Sequence, residues 1–324
     1  MKTAPKLQKR LEQYIEKRLL EALACPGSRF SLKETSLGIH NHVFYLDIEG
    51  RDPLVLKGVN SRKRFKRTVS WSAYLAEKGI RVPKVLHAEE DKKMFGGPGL
   101  HIICEERIVG DTLQDRKGSE KLIADAARFL ARLHSVTRST WGKIEGEKTG
   151  GLQEYLFGKL KGRLKQWQKH DPSFPAELKA DVNKWLEPWK NDIEKITTFS
   201  LCHVDPNPGN IILDTEGQMF FLDTGHVRYL PRAIDFYTLQ LNLCEDNEGK
   251  LKIFEDAYCE GMDDHDLSVF KTSQPFFKVY VLIQFASMLA ERLTTAVPEE
   301  PYHEEYVKYL KKAKQMISGI VYGK

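Results

Sequence analysis

Residues 203–223 read His203-Val-Asp205-Pro-Asn-Pro-Gly-Asn210, then Ile-Ile-Leu-Asp214-Thr-Glu-Gly217, then Gln218-Met-Phe-Phe-Leu-Asp223. A loop dense in proline and glycine separates Asp205 from Asn210. Two short apolar runs, 211–213 and 219–222, flank a turn signal at Asp214-Thr-Glu-Gly217. This pattern predicts a hairpin whose second strand returns Asp223 to the side of Asn210. It gathers two carboxylates and one amide, all oxygen donors suited to a hard cation or to a hydroxyl proton.

Phosphoryl transfer from ATP asks for that set: one carboxylate to orient and deprotonate the attacking hydroxyl, and oxygen ligands to hold Mg2+ against the phosphates. Asp205 is the candidate base, and Asn210 and Asp223 are the candidate metal ligands. Alone, an Asp before a Pro reads as the start of a turn; with Asn210 and Asp223 at this spacing, the chemical reading prevails. His203 reads as a buried histidine bracing the loop, not as a base.

Working outward, residues 198–224 interrupt a region of helical patterning. Helices are predicted at 119–135, 151–169, 175–196, 233–244, 247–261, 273–294 and 302–318. Before Gly110 the texture is β. Short runs at 29–37, 42–48, 54–59, 81–87 and 100–108 read as five strands, with one helix, 62–78, after the third. A Gly-rich hairpin is predicted at 95–99. Residues 5–24 place Leu7, Leu11, Tyr14, Ile15, Leu19 and Leu23 on one helical face, which suits packing on the body of the protein. The expected organisation is an N-terminal helix (1–28), a β-rich lobe (29–108) and a helical lobe (109–324).

Composition narrows the function class. The net charge is +5 on 50 basic and 45 acidic side chains, too balanced to imply nucleic acid and compatible with an anionic ligand. Five widely spaced cysteines without a CxxC argue against a disulfide framework or a zinc site. The N-terminus is too charged for a signal peptide, and 279–290 is too short and polar for a transmembrane segment. A cytoplasmic protein is expected.

The protein-kinase catalytic loop is HRD followed by an Asn with four residues between; Asp205 and Asn210 have the same spacing. The HxDxxxxN loop with a following hairpin Asp resembles the aminoglycoside phosphotransferase and choline kinase superfamily, and the resemblance covers about residues 30–295. It implies an α+β, bilobal protein-kinase-like fold, with ATP and Mg2+ as cofactors and a small-molecule hydroxyl as acceptor. Leu37-Gly38-Ile39-His40-Asn41-His42 is similar to the loop that covers the phosphates, which assigns Gly38 and Asn41 to the nucleotide. Val55-Leu56-Lys57 is similar to the strand of the phosphate-binding lysine. Residues 102–110 resemble the hinge strand, where backbone groups near Glu105 and Arg107 would meet adenine. Pro231-Arg-Ala-Ile-Asp235 resembles the segment of a second, structural aspartate.

The chain departs from this pattern at one point. The strand lysine of such kinases is held by a glutamate on the next helix, yet residues 61–76 contain no acid. Either Glu77 serves, or phosphate and Asp223 alone orient Lys57. The departure motivates one alternative, a non-catalytic nucleotide-binding pseudokinase. The basic run Ser61-Arg-Lys-Arg-Phe-Lys-Arg67 motivates another, a kinase for a lipopolysaccharide-core or other sugar with an anionic acceptor; a solvated helix start is its plainer explanation. His40 and His42 lack a third ligand, so no metal site is expected there. The acceptor is expected against 151–169 and 273–294, with acids at 245–266 available to an aminoglycoside. His226 and Arg228 follow the site closely enough to lie near the transferred phosphate, with Arg228 a candidate contact to substrate or phosphate.

Overall fold

The computed structural model describes residues 5–35, 42–90, 100–116, 118–171, 173–174, 176–245, 247–295 and 303–323. Helix α1 (Pro5–Tyr14) widens into a π-helical turn at Ile15–Leu19 and ends in α2 (Leu20–Ala22). Its predicted apolar face is buried through Leu11, Tyr14, Ile15, Leu19 and Leu23.

The five predicted strands form one antiparallel sheet: β1 (Phe30–Glu34), β2 (His42–Ile48), β3 (Leu54–Val59), β4 (Val85–Glu89) and β5 (His101–Glu106), in the order β1-β2-β3-β5-β4. Helix α3 (Arg62–Glu77) follows β3, capped by the Ser61 hydroxyl, which accepts from the Arg64 N–H. Side chains alternate across the sheet. Phe44, Leu46, Leu54, Leu56, Ile102 and Cys104 join the cluster of the N-terminal helix. Val59 and Ile103 point the other way and meet Phe65 of α3. β4 begins at Val85, not at 81, because Pro83 lacks an N–H for a ladder. The Arg81 carbonyl instead accepts from the Phe221 N–H, at 3.0 Å.

The rest of the chain runs β6 (Gly110–Thr112), α4 (Glu120–His134), β7 (Thr137–Arg138), β8 (Gly142–Lys143), α5 (Leu152–His170), α6 (Ala176–Leu186), α7 (Trp189–Glu194), β9 (Phe199–Cys202), β10 (Ile211–Asp214), β11 (Met219–Phe221), β12 (Arg228–Leu230), α8 (Ala233–Cys244), α9 (Glu248–Cys259), α10 (Asp264–Thr295) and α11 (His303–Tyr322). The single helix predicted at 175–196 is two helices, broken before Pro188, whose ring disfavours helical backbone in the residue before it. α10 starts nine residues before the predicted position and carries Pro275 inside it. Burial of Phe270, Phe276, Phe277 and Tyr280 outweighs the missing hydrogen bond.

Contacts divide the chain into two units, 1–118 with 206–227 and 119–205 with 228–324. Residues 206–227 join the first because β10 pairs with β6 as well as with β11. In the second, α10 packs on α5, α8 and α11, and α4 packs on α9. Strands β7, β9, β12 and β8 form its small sheet. Phe236 sits at the centre of its core, with Phe254, Tyr258 and Phe270 at ring distances of 4.8–5.3 Å. Among the described residues, no helix is long and apolar enough to cross a membrane.

Candidate active site

In the second unit, β9 delivers His203, Val204 and Asp205. His203 is buried and Asp205 is exposed. Between them Val204 takes φ +75°, a left-handed conformation that costs a β-branched residue about 1–3 kcal/mol. Asp235, in the first turn of α8 and fully buried, holds this bend. Its Oδ2 accepts from the His203 N–H at 2.5 Å and its Oδ1 from the Val204 N–H at 3.0 Å. His134 lies at 3.4 Å from Oδ2 through Nε2 and at 2.5 Å from the Tyr258 hydroxyl through Nδ1. Burial pushes the His134 pKa down, against the opposing pull of Asp235.

In the first unit, the Asn207 side chain accepts from the Gly209 N–H at 3.0 Å and turns the chain toward Asn210. A Cβ at Gly209 would stand 2.9 Å from Gln114 Oε1, so a larger residue there would require the Gln114 side chain to move. The predicted hairpin is present, with Ile211 opposite Phe221 and Leu213 opposite Met219. Asp214 Oδ1 closes its turn by accepting from the N–H groups of Glu216 and Gln218, at 2.9 and 2.7 Å. The Leu222 N–H donates to the Asn210 carbonyl at 2.8 Å. That bond places Asp223, the next residue, beside Asn210. Asp223 has φ +49°, a conformation Asp tolerates. The turn after it, Thr224–His226, lies on α3. Thr224 Oγ1 and Ser72 Oγ share a hydrogen bond of 2.8 Å, and a Cβ at Gly225 would stand 3.3 Å from Thr68 Oγ1.

Lys57 has a carboxylate partner that the sequence reading did not find. Its Nζ forms an ion pair with Glu105 on β5. Lys57 is opposite Ile103 and Val55 is opposite Glu105, so Lys57 and Glu105 are diagonal neighbours on one face of the sheet, the face of α3. Both are sheltered, with side chains 17% and 6% exposed. Glu77 is exposed at the end of α3 and pairs with Lys78 at 3.5 Å. The basic run of α3 is exposed at Arg62, Lys63 and Lys66 and partly buried at Arg64 and Arg67. Arg62 and Lys66 pair with Glu90, Arg67 lies over the Trp71 ring, and the Arg64 Nη2 donates to Asp223 Oδ2 at 3.2 Å.

An exposed carboxylate at Asp205, an Asn and Asp joined by a hairpin, and a strand lysine with its carboxylate are thus present. The model of the phosphotransferase enzyme family matches residues 31–267. The chain belongs to the phosphotransferase enzyme family. Solved structures show the same fold. An ethanolamine kinase from Plasmodium vivax is 13% identical, with a TM-score of 0.65 over 100% of this chain and 92% of that one. A choline/ethanolamine kinase family protein from Mesorhizobium loti is 16% identical, with a TM-score of 0.63 over 98% and 97%. A spectinomycin phosphotransferase in complex with ADP and spectinomycin is 14% identical, with a TM-score of 0.58 over 95% and 98%. No curated protein matches the sequence. The expectation of this family and of a protein-kinase-like α+β fold, sheet-rich first and helical after, therefore holds.

Within this phosphotransferase the remaining expectations fall as follows. Gly38, His40 and Asn41 lie outside the described residues. The Arg107 backbone N–H donates to the Pro53 carbonyl at 3.0 Å, and its guanidinium covers the Tyr45 ring at 3.7 Å. Arg228 is opposite Cys202 and donates to the Tyr155 hydroxyl on α5 at 3.3 Å. Two of the acids at 245–266 are engaged locally: Asp266 pairs with Arg232 at 2.7 Å and Asp263 accepts from the Asp266 N–H at 2.8 Å. Asp246 lies outside the described residues. His134, Cys202 and Asp235 come within metal-ligand distance of one another. Their atoms already serve as the brace of the loop, with the Cys202 Sγ on the Leu230 carbonyl at 3.5 Å and its thiol pushed far up by burial.

Proposed function

We propose that this phosphotransferase moves the γ-phosphate of ATP to a hydroxyl of a small molecule. The observation that supports the reading is the Leu222–Asn210 backbone bond, which brings the chain at Asp223 back to Asn210, two oxygen donors of the kind a divalent metal takes. Asp205, exposed at the end of the braced loop, orients the acceptor hydroxyl and takes its proton. Lys57, aligned by Glu105, meets the α- and β-phosphates. Mg2+ bound to Asn210 and Asp223 would supply charge neutralisation at the phosphates. The donor set suits it: hard oxygens, with a side chain at Asp223 that is 40% exposed.

Two observations weigh on the alternatives. The pseudokinase reading rested on a lysine without an acid, and Glu105 removes that ground. The basic run as a platform for an anionic sugar is weakened by the partners of Arg62, Arg64, Lys66 and Arg67 within the fold. The test is ATP consumption with Mg2+ across amino alcohols, sugars and aminoglycosides. Turnover with one class, lost in Asp205→Asn by about 10²–10⁴-fold, is the expected result. Turnover that Asp205→Asn leaves intact would refute the mechanism.

A further inference from the structure

Arg64 stands where it is least expected. The helix after the lysine strand ordinarily supplies a carboxylate to that lysine. Here β5 supplies the carboxylate, and α3 supplies a cation to the residue proposed for the metal. The guanidinium is only half satisfied. One nitrogen, Nη2, donates to Asp223, while Nε is buried and has no acceptor among the described residues. Leaving a buried donor unmet is unfavourable. The Nε–Nη edge of an arginine is a fork that fits two oxygens of a carboxylate or phosphate. Asp223 occupies one tine of it.

The backbone around this pair is fixed. The Ser61 hydroxyl accepts from the Arg64 N–H at 3.3 Å, Thr224 is bonded to Ser72, and a Cβ at Gly225 would stand 3.3 Å from Thr68 Oγ1. Any change of partner therefore falls to the side chains. Asp223 cannot give the same oxygen fully to a divalent cation and to Arg64, because the two cations repel.

We infer that Arg64 is a nucleotide-phosphate ligand: it holds Asp223 in the nucleotide-free protein, and its Nε–Nη edge takes a phosphoryl oxygen when Asp223 turns to metal. The inference rests on the phosphotransferase reading above. A purely structural ion pair explains the Nη2 contact but not the empty Nε.

The test is equilibrium binding of ADP to the full chain without metal, by calorimetry, beside thermal unfolding of each variant. Arg64→Gln is expected to weaken ADP binding by about tenfold or more, and Arg64→Lys, which keeps the charge and loses the fork, by less. Asp223→Asn frees Arg64 and is expected to tighten ADP binding, with the gain gone in the double variant Arg64→Gln/Asp223→Asn. ADP affinity unchanged or improved in Arg64→Gln, with only the melting temperature lowered, overturns the inference and leaves the phosphotransferase reading standing. So does an Asp223→Asn gain that persists in the double variant. A wild-type chain that binds neither ADP nor ATP with Mg2+ at millimolar concentration overturns both.

Discussion

Asp235 and Asp223 are two aspartates of one short stretch with opposite environments. Asp235 is fully buried, and both of its oxygens accept from backbone N–H groups of the catalytic loop. Asp223 is 40% exposed and, among the described residues, pairs with Arg64 at 3.2 Å. A carboxylate saturated by fixed donors holds a shape; one left open to solvent, beside a second oxygen donor, has capacity for a ligand. The same contrast separates His203, buried behind the loop, from Asp205, exposed at its tip.

The contrast breaks first if activity does not follow the open carboxylates. Asp223→Asn is expected to lower kcat by about 10²-fold or more while leaving the unfolding midpoint in urea close to wild type. Asp235→Ala should do the reverse in kind. It leaves two buried N–H groups unmet and a strained Val204 unsupported, so unfolding free energy should fall by about 3 kcal/mol or more. Loss of kcat in Asp235→Ala without loss of stability would erase the distinction.

Glu105→Gln tests the middle ground, a sheltered carboxylate with a functional partner. Its expected effect is an increase of about tenfold in KM for ATP, read by steady-state kinetics, because Lys57 loses its alignment. Equal losses in Glu77→Gln would move the lysine's partner back to the helix.

The smallest effect concerns His134. Its folded pKa is pushed below the usual 6.5 by burial, so in the window just under 6.5 the unfolded chain binds a proton that the folded chain does not. Stability should therefore fall as pH drops below about 6.5, and a His134→Gln variant should lose that slope in urea unfolding between pH 5 and 7.

The catalytic loop and hairpin were legible because their signals are local. Asp214 and Gly217 close a turn within a few residues, and the Pro- and Gly-rich loop fixes the Asp205–Asn210 spacing. Five strands with a helix after the third followed from period-two and helical patterning. The helix 175–196 failed at Pro188, where periodicity carried the reading past a residue that ends helices. α10 was read too short, since the burial that tolerates Pro275 comes from other helices.

The sequence by itself determined that a lysine sits on the third strand, that a hairpin joins Asn210 to Asp223, and that α3 is rich in cations and without an acid before Glu77. It did not determine who pairs with whom. Lys57 finds Glu105 only through the register of β3 against β5, where a shift of one residue would put the two on opposite faces. Arg64 finds Asp223, 159 residues away, only through the rotation of α3 over the sheet and the docking of Thr224 on Ser72. A charge is written in the chain, but its partner is chosen by distances that exist only once strands are in register and helices are packed.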